Sequence, residues 1–184
     1  MSDHVRVPFA EINHALGNNI NPFEFPDEEF ELYSVPAHEK GRPEVAVGVT
    51  IGSNKQLVSE GMVLLCKINP RINRVWVVKP ETGRRQIAST EWIAFERSAF
   101  ILPEYLASFL RQTEVRDFLA ANASGVGSSL MRVKPATLAA YEFTLTGLKT
   151  QTRIIKKLEE LLSDLDAGVA ELKAAQKKLA QYRQ

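Results

Sequence analysis

The sequence predicts a mixed α/β (α+β) domain over residues 1–149, followed by a long coiled-coil helix over residues 150–184. Three observations carry this prediction. Short runs rich in Val, Ile, Leu and Trp, bounded by Asn and Pro, read as strands. Two helical runs with recognisable starts follow them. The last stretch, Gln151 to Gln184, repeats leucine every seven residues and contains one glycine and no proline.

In chain order, MVLLCKI (62–68) and RVWVV (74–78) read as strands, and NPRIN (69–73) between them as a turn. TEWIAFE (90–96) alternates as a third strand, and Trp76 and Trp92 are expected in the core. PEYLASFLRQ opens a helix at Pro103, since proline suits the first helical position. TEVRDFLAANAS forms a second helix, capped by Thr113 and stopped by Gly125. AYEFTLTGL (140–148) is a short strand or connector. Thr150 is the expected N-cap of the last helix. There Leu158, Leu165, Leu172 and Leu179 form one row of an apolar seam, with Ile154, Leu161, Gly168, Ala175 and Tyr182 as companions. At 1.5 Å per residue this helix is about 50 Å long, and it needs a partner helix to bury its seam. Ile154, Leu158, Leu161, Leu165, Leu172 and Leu179 are therefore the expected dimerisation residues. The seam leaves open whether the pair runs parallel or antiparallel.

The net charge is +1, but its distribution is uneven. Residues 51–135 carry 12 basic and 7 acidic side chains, whereas residues 1–50 carry 3 and 9. A cationic central region suits a polyanion such as nucleic acid. Glu28, Glu29 and Glu31 read as a solvated acidic face. The lone Cys66, inside an apolar run, reads as an inert buried thiol and excludes an intrachain disulfide or a multi-cysteine zinc site. His4, His14 and His38 show no metal-ligand spacing. No phosphate-loop lysine motif is present, no cofactor is expected, and no apolar run reaches the roughly 18 residues of a membrane span. A cytoplasmic location is the expectation, and Asn69-Pro70-Arg71-Ile72 lacks the second proline and the aromatic of the adenine-methyltransferase tetrapeptide.

From about residue 30 onward the order of motifs resembles a target recognition domain of the specificity subunits of type I restriction–modification systems. The matching segments are EFELYSVPA (29–37), the strand–turn–strand GSNKQLVSEGMVLLCKINPRINRVWVV (52–78), Ser89-Thr-Glu-Trp92, the Pro103-Glu-Tyr-Leu106 helix, and the Gly125-to-Val133 stretch leading through Lys134-Pro135 to the last helix. The resemblance covers roughly 150 residues. The sequence departs from the family before the last helix, where TLTGLKTQTRI replaces a proline-containing segment, and in having one recognition domain and one helix where a full subunit has two.

The resemblance implies a non-catalytic subunit that directs an adenine methyltransferase and restriction complex to a bipartite DNA target. Its implied partners are double-stranded DNA, modification subunits, restriction (motor) subunits and a second copy of the chain, giving an interrupted palindrome as target. Expected DNA contacts are Lys55, Lys67, Arg71, Arg74, Arg84 and Arg85, with Ser128, Ser129, Arg132 and Lys134 as phosphate ligands. Three other readings stand beside it: a coiled-coil interaction protein, a DNA-binding regulator without a methyltransferase, and a fragment of a longer subunit. In the first reading the cations are solvated surface groups. Replacing Arg84 and Arg85 with Ala is expected to weaken DNA binding and flatten its salt dependence in a titration.

Overall fold

The computed structural model describes residues 4–11, 18–125 and 131–182. Along the chain run β1 (His4–Pro8), β2 (Asn19–Ile20), β3 (Glu29–Tyr33), α1 (Val35–Glu39), β4 (Glu44–Val47), β5 (Lys55–Leu57) and β6 (Val63–Cys66). Then follow β7 (Val75–Val77), β8 (Arg85–Ser89), β9 (Trp92–Phe95), α2 (Pro103–Leu110), α3 (Thr113–Ala121), α4 (Pro135–Ala139), β10 (Glu142–Thr146) and α5 (Leu148–Tyr182). The architecture is mixed α/β with a long C-terminal helix, as the sequence predicts.

Three sheets build the globular part. The central one has the order β7-β6-β9 and is antiparallel throughout. Side chains alternate across it. Val63, Leu65, Ile93 and Phe95 face one cluster, with Leu106, Leu110, Val115 and Leu119 from the helices. Leu64, Cys66, Trp92 and Ala94 face the other, with Tyr33, Val58 and Ala88. A strand buried on both faces needs apolar residues at every position, which is why VLLC and WIAF read as unbroken apolar runs.

The second sheet has the order β2-β5-β8-β3-β4. Its pairs are antiparallel except β3 and β8, which run parallel from Phe30↔Arg85 to Tyr33↔Ala88. Polar groups lock the two sheets together. Trp92 Nε1 donates to the Tyr33 carbonyl at 2.8 Å, and Gln56 Nε2 donates to the carbonyls of Ser89 and Trp92 at 2.9 and 3.0 Å. Tyr33 in turn donates its hydroxyl to the Lys79 carbonyl at 2.9 Å, and burial beside the charge of Glu31 pushes that phenol up to about 12. The third sheet pairs β1 with β10, bringing the two ends of the globular part together.

Several local expectations change. Thr113 is the first residue of α3 rather than its cap; Gln112 occupies the cap position and no side chain caps the helix. The helix ends at Ala121 because Asn122 turns back on it, donating Nδ2 to the Phe118 carbonyl at 2.8 Å, before Gly125 is reached. The segment resembling an extended EFELYSVPA is extended only to Tyr33. Ser34 Oγ then accepts from Ala37 N at 3.1 Å and starts α1. Glu31 is fully buried, not solvated. It lies in a strand flanked on both sides, and its Oε1 accepts hydrogen bonds from Glu81 N, Thr82 N and Thr82 Oγ1, which hold the loop before β8.

The start of α5 is the largest change. The helix begins at Leu148, so Thr150 lies inside it, and the Gly147 carbonyl accepts from Thr150 N at 2.9 Å and Gln151 N at 3.1 Å. Gln151 is the buried residue of this helix and has zero exposure. Its Oε1 accepts from Leu102 N at 2.9 Å, and its Nε2 donates to the carbonyls of Phe100 at 2.8 Å and Thr146 at 2.7 Å. Gln151→Ala leaves three backbone groups without this partner, the buried Thr146 carbonyl and the part-buried Phe100 carbonyl and Leu102 N–H, so we expect a loss of about 2 kcal/mol. Urea unfolding checks this, and an unchanged midpoint would mean that water replaces the amide at no cost.

Candidate nucleic-acid interface

Four of the sequence-predicted contacts gather at one end of the globular part, with Lys55 beside them. Beyond β6 the chain continues through Lys67 and Ile68 into a 3-10 turn, Pro70–Ile72. Asn69 and Asn73 flank that turn, both at positive φ (48° and 49°), a conformation asparagine tolerates better than most residues. Residues 131–133 lie alongside. Ile68 bridges Arg132, Asn69 N donates to the Met131 carbonyl at 2.8 Å, and Val133 N donates to the Lys67 carbonyl at 3.0 Å. These backbone bonds bring Lys67, Arg71, Arg132 and Lys134 into one patch. Ser128 and Ser129 lie outside the described residues.

Within the patch the cations differ. Arg71 and Lys134 are exposed and make no ion pair among the described residues. Arg132 grips Glu91 with both arms of its guanidinium, Nε at 3.2 Å and Nη2 at 2.8 Å. Lys67 Nζ donates to the Thr90 carbonyl at 2.5 Å. Lys55 sits on the neighbouring strand opposite Ser89. It is nearly buried, donates to the Ser53 carbonyl at 2.9 Å and to Ser53 Oγ at 2.6 Å, and its burial pushes the ammonium below its usual range. Lys55 and Glu91 both line a shallow cleft of about 460 Å³ beside the patch.

The other three arginines are placed differently. Arg74 is mostly covered and donates to Glu39 Oε1 at 3.1 Å. Arg84 and Arg85 lie at the opposite end of β8 from Ser89. Arg84 donates twice to Glu29 Oε2, at 2.9 and 2.7 Å, and Arg85 donates to Glu28 Oε2 at 2.7 Å. The Arg85 guanidinium also lies over the rings of Phe25 and Phe30, at 4.4 and 5.0 Å from their centres. Sequence reasoning missed these acidic partners, because the pairs join residues 35 to 57 positions apart.

Cys66 is buried and its thiol is pushed up by that burial, which disfavours the reactive thiolate. Among the described residues no group of three His, Cys, Asp or Glu could hold a metal ion, and no helix is long and apolar enough to cross a membrane.

The seam of α5 is uncovered. Leu158, Leu161, Leu165, Leu172 and Leu179 are all exposed, and Ile154 is half-buried. Leu162 and Val169, which the sequence reading left out, are exposed on the same face. The leucine row at 158, 165, 172 and 179 is thus flanked on one side by Ile154 and Leu161 and on the other by Ile155, Leu162 and Val169. The bulkier side of this double seam starts beside the globular part, where Ile155, Leu158 and Leu162 form one wall of a groove of about 470 Å³ facing Trp76, Val77 and Ala107.

We expect the double replacement of Arg71 and Lys134 by Ala to lower the slope of log affinity against log salt by about 2, near 0.9 per lost phosphate contact. The double replacement of Arg84 and Arg85 is expected to lower it less, since both guanidinium groups already have carboxylate partners. Equal slope changes in salt titrations would mean that both ends of β8 meet DNA.

No protein-family model and no curated protein matches the sequence. Solved structures do match. The HsdS subunit from Thermoanaerobacter tengcongensis is 21% identical with a TM-score of 0.76, the match covering 90% of this chain and 43% of that one. A chain from a structure on complex assembly and conformational transition of the type I R-M system is 22% identical with a TM-score of 0.78, covering 96% and 46%. This chain spans less than half the length of either. At such identities the likeness is one of fold: the chain has the fold of a little under half of an HsdS subunit.

Proposed function

We propose that the chain is a non-catalytic, sequence-specific DNA recognition subunit of a type I restriction–modification system. Residues 1–149 act as the target recognition unit, and residues 150–184 act as spacer and dimerisation helix. The observation that carries this reading is a pairing of two facts. The chain has the fold of part of an HsdS subunit, and its long helix exposes an apolar seam that the other described residues leave uncovered.

A second copy paired through this seam supplies a second recognition unit. The 35-residue helix is about 52 Å long at 1.5 Å per residue. A pair of such helices holds two recognition units at most about one and a half DNA turns apart, taking roughly 34 Å per turn. Two-fold symmetry then makes the target an interrupted palindrome. Modification subunits supply the chemistry, and motor subunits the cleavage.

The test is the mass in solution together with the DNA selected. The wild-type chain, of 20.6 kDa, should scatter light as a dimer and, with a modification subunit, select two inverted half-sites from random duplexes. The double variant Leu165→Asp, Leu172→Asp should be monomeric and select one half-site. A monomeric wild type would remove the dimer, and selection of no sequence would remove the recognition role.

A further inference from the structure

The Pro70–Ile72 turn ends in a side chain that the fold does not use. Ile72 is 53% exposed, while its neighbour Pro70 is buried. An isolated exposed isoleucine is ordinary on a protein surface. This one differs in how it is held and in what surrounds it. The turn is closed by Ile72 N donating to the Asn69 carbonyl and Asn73 N to the Pro70 carbonyl, both at 3.0 Å. Its base is tied on both sides, by Cys66 N to the Arg74 carbonyl at 3.0 Å and Asn69 N to the Met131 carbonyl at 2.8 Å. It also packs on α3. Two left-handed residues bracket it, so the apex is a rigid projection. Such rigidity suits a recognition element, because little order remains to be imposed on binding.

The surroundings are cationic. Arg71 is the adjacent residue and has no ion pair among the described residues, and Lys134 and Arg132 lie exposed on the strand-like segment bonded to the base of the turn. Phosphates drawn to these groups would bring a duplex against the apex. An aliphatic side chain there cannot donate or accept a hydrogen bond. The feature of a base edge that it fits is the C5 methyl group of thymine, which stands in the major groove.

We propose that Ile72 is a specificity-determining residue that reads one thymine of each half-site through its methyl group. This rests on the DNA-recognition reading above. Arg71, Arg132 and Lys134 hold the register, and Ile72 supplies the discrimination at that position.

The test uses the full chain with a modification subunit and duplexes of its selected target in which single thymines are replaced by uracil, which lacks only the methyl. For the wild type, one thymine per half-site should cost about fourfold in affinity on replacement, the worth of one buried methyl group. Ile72→Ala should bind the thymine duplex about fourfold more weakly and lose its sensitivity to that replacement, with an unchanged salt slope. Binding that is specific but shows the same uracil penalties in both proteins overturns the role of Ile72 and leaves the recognition reading intact. A selected half-site with no required thymine does the same. No sequence-specific binding by either protein overturns both.

Discussion

The helix that carries the seam leaves the globular part at a fixed point, and the group that fixes it is the carboxamide of Gln151. Its three hydrogen bonds reach the loop before α2 at Phe100 and Leu102 and the end of β10 at Thr146. Those two segments are more than forty residues apart in sequence, so one side chain ties the first turn of α5 to two separate parts of the fold. A hydrophobic residue there could pack, but it would leave the backbone groups unpaired and would set no direction. Because the amide bonds are directional, the exit of the helix is defined. In the proposed dimer, the distance between the two globular parts would then be a property of the molecule rather than of a flexible linker.

The globular part separates stability from surface chemistry. Its stability comes from a three-stranded sheet buried on both faces and from the polar ties of Trp92, Gln56 and Tyr33 between sheets. The patch around Lys67, Arg71 and Arg132 lies beyond the end of that sheet. Ion pairs such as Arg132–Glu91 are solvent-exposed, and pairs of that kind add little to stability. Their carboxylates can therefore yield to phosphate without unfolding anything. Arg85 is a contrast, since its guanidinium is stacked on two rings as well as paired, and moving it would disturb packing.

The parts of this fold legible in the sequence are those where burial leaves a strong pattern. β6, β7 and β9 are apolar along their length because both faces of their sheet are covered. α5 declares itself through its leucine period. The five-stranded sheet was not legible. Its strands run from two to five residues, and segments such as KQL and RQIAS carry polar side chains that only a particular neighbour makes sense of. Glu31 looked like part of a solvated acidic face, yet the alternation in EFELY puts it on the side of Tyr33, which is buried. Gln151 gave no signal, since a glutamine in a helix is ordinary until its partners are known. In the candidate interface the cationic bias was readable, but its division into free, paired and stacked groups was not. That division depends on acids at Glu28, Glu29, Glu39 and Glu91, brought close by the fold alone.

The most direct test of the central claim is a map of methylated adenines in cells expressing this chain with a type I modification subunit and no other specificity subunit. The account predicts methylation at a single interrupted palindrome, its two halves identical and inverted, with a fixed gap. Methylation at an asymmetric bipartite site, or no sequence-specific methylation, would contradict the assembly of two identical recognition units through α5.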